Sequence, residues 1–118
     1  MRKSLAVLLS IFMLTSFGSI AEAKRHYNDG RPAKWCGWYM RQIYGGSAEY
    51  NRARAWAKRG TSAGGPQVGA VVVWPHHVGV ITGRSSNGRW IVKSGNDGGR
   101  VRERARSVAG AIAFRFVS

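Results

Sequence analysis

Cysteine occurs once in the 118 residues, at Cys36. One thiol excludes an intramolecular disulfide, and it excludes the cysteine-rich zinc sites, which need about four protein ligands when structural and about three when catalytic. The adjacent His76 and His77 have poor geometry for completing such a set, so no metal and no cofactor is expected. Acidic side chains are scarce too: 5 Asp and Glu stand against 19 Lys and Arg, a formal net charge of +14. That balance excludes a preference for cationic partners and draws in anionic polymers. Apolar runs long enough to span a bilayer are also missing, since the longest, residues 5–17, falls short of the ~20 a membrane helix needs. Proline appears three times, at Pro32, Pro66 and Pro75, and no internal repeat or low-complexity linker is present.

What the short apolar run does fit is an export signal. Arg2 and Lys3 form the charged start, Leu5 to Phe17 the apolar core, and Ala21-Glu22-Ala23 a small-x-small cleavage site. Residues 1–23 are therefore expected to be removed. Residues 24–118 are left as a single exported domain, periplasmic or secreted, with no transmembrane anchor after processing. Loss of Arg2, Lys3 and Glu22 leaves 17 basic and 4 acidic side chains, a net charge of +13. In a cell envelope such a charge is suited to peptidoglycan or other anionic polymers and lipid headgroups, and export carries the chain away from nucleic acid. A monomer is expected.

Two helices and then a sheet follow from the patterning. Residues 24–32 are polar and rich in turn formers, and His26 within them is assigned no role. Trp35, Tyr39 and Ile43 recur at helical spacing with Cys36 and Met40 beside them; Pro32 suits the entrance and Gly45-Gly46 the end near Tyr44. A second helix is predicted from a Ser47 cap to Gly60, with Tyr50, Ala53, Trp56 and Ala57 inward and Arg52, Arg54, Lys58 and Arg59 in water. Thr61 to Pro66 reads as a glycine-rich loop. Val68 to Trp74 is β-branched and apolar throughout, as a central strand should be, and His77 to Thr82 turns back antiparallel to it. Asn87-Gly88 marks a hairpin into Trp90–Ser94. Val101–Ala105 alternates like an edge strand, and Ala111–Phe116 is the last strand. The fold class is α+β, with N-terminal helices on an antiparallel sheet of about five strands.

The chemistry converges on Cys36. A thiol in the first turn of a helix lies among unpaired N–H groups and the positive end of the dipole, and both favour thiolate. A small buried hydrophobe is the plainer reading of a lone cysteine. A histidine opening a later strand is the partner a nucleophilic thiol needs, as its base and then its acid.

Lys34-Trp35-Cys36-Gly37-Trp38-Tyr39-Met40 resembles the cysteine motif of CHAP-type and NlpC-type amidohydrolases and peptidases. Gly69-Ala70-Val71-Val72-Val73-Trp74 followed by His76-His77-Val78-Gly79-Val80-Ile81 is similar to their glycine-led strand and histidine-led strand. The resemblance covers most of residues 32–118. It implies a papain-like fold and a hydrolase that cuts an amide or peptide bond of bacterial peptidoglycan through an acyl-enzyme. It also implies His77 rather than His76 as base, because His77 directly precedes Val78-Gly79. Ser94-Gly95-Asn96 falls where that group often carries its polar third residue. Asn96 is assigned to orient the His77 ring through its amide oxygen, with Ser94 and Asp97 as rivals and a simple turn at Asn96-Asp97-Gly98-Gly99 as the plain alternative. The alternative function is a basic envelope-binding protein without turnover.

Overall fold

The computed structural model describes residues 30–118. The predicted signal, its cleavage after Ala23, and His26 lie outside the described residues.

Helix α1 spans Cys36–Tyr44. It ends as the glycines require: Gly45 and Gly46 have φ of +75° and +105°, and the Gly45 N–H closes the last turn on the Arg41 carbonyl at 2.8 Å. Trp35, Cys36, Gly37 and Met40 are buried, whereas Ile43 is 45% exposed, so the inward face is centred on Cys36 and Met40. Gly37 is required by packing. A Cβ there would strike the carbonyl oxygens of Tyr50 and Asn51, whose chain lies directly against the helix.

The predicted second helix is replaced by two 3₁₀ turns, Ala48–Asn51 and Ala53–Lys58, separated by Arg52 in extended conformation (φ −88°, ψ 125°). Local bonds hold this tighter path. Trp56, fully buried, donates its indole N–H to the Tyr50 carbonyl at 2.7 Å, and the Arg59 guanidinium donates to the carbonyls of Gly45 and Tyr44 while lying 4.5 Å over both the Tyr50 and Trp56 rings. Ser47 does not cap; its hydroxyl donates to Glu49 Oε1 at 3.1 Å.

Six strands make one antiparallel sheet: β1 (Thr61–Ser62), β2 (Val71–Trp74), β3 (His77–Arg84), β4 (Trp90–Ser94), β5 (Arg102–Ala105) and β6 (Ala113–Phe116), in the order β1-β6-β2-β3-β4-β5. The sixth strand is β1, a two-residue piece of the expected loop that pairs with β6. The expected Val68 strand starts only at Val71, because Gly69 (φ +93°) turns the chain, and Val68 is exposed. The edges are protected: β1 is short and β5 carries Arg102, Glu103 and Arg104.

Alternation along the strands divides the core into two layers. Cys36, Met40, Ala53, Trp56, Val71, Val73, Val78 and Val80 fill the layer under α1 and the 3₁₀ turns. Ala70, Val72, Ile81 and Val92 fill the other, covered by Trp74, Trp90, Val108 and Phe114. Each fully buried valine contributes about 1.5–3 kcal/mol over an exposed one, and truncating Trp56 to alanine would remove about 3–5 kcal/mol.

Candidate functional site

Cys36 is the first residue of α1, and its side chain is carried against the beginning of β3. The thiol approaches the His76 carbonyl at 4.0 Å. Burial pushes the thiol pKa above its ordinary value, and the nearby backbone N–H groups of Val78, Gly37 and Cys36 pull it back only in part. This reverses the expectation that a helix start makes the resting group a thiolate. Desolvation in a layer of Met40, Trp56 and valines outweighs the N–H groups.

His77 begins β3 and pairs in register with Trp74. Its Nε2 lies 2.9 Å from Ser94 Oγ, and its ring centroid is 5.7 Å from that of Trp74. Burial lowers its pKa to about 4; the Arg106 and Arg104 charges push the same way, and Asp97 opposes them. The resting ring is thus neutral at physiological pH. Asp97 is buried and accepts both Nε (2.7 Å) and a terminal N–H (2.9 Å) of Arg104, with Arg106 at 3.7 Å. These bonds hold the Asp97 carboxyl below its usual range. Arg106 in turn lies 4.8 Å over the Trp74 ring. The polar group around His77 is therefore Ser94, Asp97, Arg104 and Arg106, backed by Trp74.

Cys36 and His77, expected as a nucleophile and base within hydrogen-bond reach, come to the same strand end but to different sides of it, so the structure does not bring the two side chains together. Val78 and Val80 point into the layer of Cys36, whereas His77, one residue earlier, points with Trp74 and Ser94 into the other layer. The thiol meets the peptide units flanking His77, and the imidazole is engaged by Ser94. Asn96, expected as the residue that orients the ring, sits in the turn after β4 with φ +51°; the side-chain oxygen on His77 is that of its rival Ser94. Gly95 between them lets the turn close on α1, since a Cβ there would meet Tyr39 and Trp35.

A cleft of about 450 Å³ opens beside the thiol, lined by Pro32, Lys34, Cys36, Arg52, Arg54 and His76 among others. The sequence reading passed over the cleft, Trp74 and the Asp97–Arg104–Arg106 group. A signal for the last was available in Arg102, Arg104 and Arg106 alternating along one face of the edge strand and its extension, opposite one of the few acidic side chains. Among the described residues no three His, Cys, Asp or Glu side chains gather as a metal site, and no helix is long and apolar enough to cross a membrane.

Comparison with family models, with curated proteins and with solved structures finds no match to this chain.

Proposed function

We propose that this domain is a papain-like thiol hydrolase of the CHAP or NlpC kind, exported to the envelope, that cuts an amide or peptide bond of bacterial peptidoglycan through Cys36. The observation that carries the reading is the thiol at the first residue of α1, lining a cleft and touching the backbone beside His77. With a neutral thiol and a neutral imidazole at rest, the proton leaves sulfur as the C–S bond forms, passes to the histidine, and goes on to the departing amine; water then releases the acyl group from sulfur. The Cys36 N–H is available to the carbonyl oxygen in the tetrahedral state. His77 is turned away from the thiol and bonded to Ser94 at rest, so its service as base requires the ring to leave Ser94 and swing round the end of β3.

A second base is favoured by a specific observation: His76, exposed, lines the cleft with Cys36. Turnover of peptidoglycan by His77→Ala and His76→Ala separates the two. The reading predicts loss of about 100-fold or more for His77→Ala and little for His76→Ala. The reverse result moves the role to His76. No turnover by the unsubstituted protein, with retained binding, leaves an envelope-binding protein.

A further inference from the structure

We infer that the cleft beside Cys36 selects substrates carrying a carboxylate next to the bond to be cut, read by Lys34, Arg52 and Arg54. This rests on the hydrolase reading for what is cut, but not for the presence of an anion-selective cleft at the thiol. All three cations line the same cleft as the sulfur and are exposed to solvent. Residues 30–118 contain only three acidic side chains, Glu49, Asp97 and Glu103, and none of them lines the cleft.

Several other cations of the fold are engaged, and those among the described residues that are not, Lys58, Arg89, Lys93, Arg100 and Arg102, do not line the cleft. Arg41 holds Asn51 and the Gly46 carbonyl, Arg59 the carbonyls of Tyr44 and Gly45, Arg115 those of Arg59 and Gly60, and Arg104 and Arg106 share Asp97. Among the described residues Lys34, Arg52 and Arg54 are the unengaged cations that share the cleft with Cys36. Their placement follows from the backbone. Ala53 is buried in the core, so Arg52 and Arg54 on either side of it are turned outward, and Arg52 occupies the extended break between the two 3₁₀ turns. Three cations around an opening of this size, without a counter-charge, favour a ligand bearing a negative group within reach of the sulfur. A stem peptide with a free carboxylate beside the scissile amide meets that requirement, and its carboxamide counterpart does not.

The test uses two small alkylating agents of nearly equal size, anionic iodoacetate and neutral iodoacetamide, on Cys36 at low ionic strength. The rate ratio of iodoacetate to iodoacetamide, divided by the same ratio for a neutral cysteine amide, should be about tenfold above one and fall with salt. It should drop several-fold in the Arg52→Gln, Arg54→Gln double variant and hold in the Arg89→Gln, Arg100→Gln variant of the same net charge. Equal ratios in the two double variants would overturn the inference, as would a Cys36 that neither reagent modifies. Because alkylation needs no turnover, a protein that shows the expected ratios but cleaves nothing would refute the hydrolase reading and leave the anion-selective cleft standing.

Discussion

His77 Nε2 and Ser94 Oγ are 2.9 Å apart across β3 and β4, and Ser94 is fully buried. For His77 to accept a proton at Nδ1, Nε2 must carry the hydrogen, which at rest it donates to Ser94 Oγ. Nitrogen-15 NMR of the ring should therefore show the Nε2–H tautomer near neutral pH. Ser94→Ala should lower turnover about tenfold or more at matched folding, and Asn96→Ala by less. The Nδ1–H tautomer, or a larger loss for Asn96→Ala, would return the orienting role to another residue.

The thiol is raised by burial, so iodoacetamide labelling of Cys36 should climb with pH and reach its midpoint above that of an ordinary thiol. Activity, which uses the neutral pair, should rise as pH climbs through about 4, where His77 loses its proton, and hold a plateau up to the thiol's raised pKa. A labelling midpoint well below the ordinary thiol range would mean a preformed thiolate and imidazolium pair.

His77 also sets a stability window. Its pKa falls from 6.5 in the unfolded chain to about 4 in the fold, so the unfolded state binds the proton first on acidification. The stability from the neutral buried ring is complete above pH 6.5 and is lost as pH falls from there to about 4. Discounted for the partial exposure of the ring, the loss is about 1–2 kcal/mol. Urea denaturation at pH 7 and pH 4.5 should show it in the unsubstituted protein and show less in His77→Gln.

Asp97 is the acid that balances Arg104 and Arg106 beside the imidazole. Asp97→Ala leaves both guanidinium groups facing the ring, and should lower the melting temperature by on the order of 5 °C or more. It should also depress the His77 pKa further, because Asp97 is the group that raises it. An unchanged His77 titration in that variant would show that the arginines move away.

Much of the fold was legible where a local signal has one structural meaning. Gly45-Gly46 ends α1 and Gly88 completes the hairpin turn, because glycine adopts positive φ at little cost. The second helix misled because Tyr50, Ala53 and Trp56 recur at a spacing of three, which a 3₁₀ path satisfies as well as an α-helix does. β1 is two residues long and has no periodicity to read. The contact of Ser94, rather than Asn96, with His77 was hidden by a register shift. Counting back from Arg84↔Trp90 without interruption sets Ser94 opposite Val80, on the layer of Cys36; the irregularity between Ile81 and Gly83 moves the pairing to Ile81↔Val92 and turns Ser94 to the side of His77. Nothing in the residue types announces that extra step. The rise of the thiol pKa was equally hidden, since it depends on which side chains enclose Cys36.

The central claim is that Cys36 cleaves an amide or peptide bond of the cell wall. Its most direct test is digestion of purified peptidoglycan by the protein and by Cys36→Ala, read by mass spectrometry. The account predicts fragments heavier by one water per cut, with a new carboxyl and a new amine at a single type of bond, from the unsubstituted protein and none from Cys36→Ala. Fragments that persist in Cys36→Ala, or an undigested wall with both proteins, would contradict it.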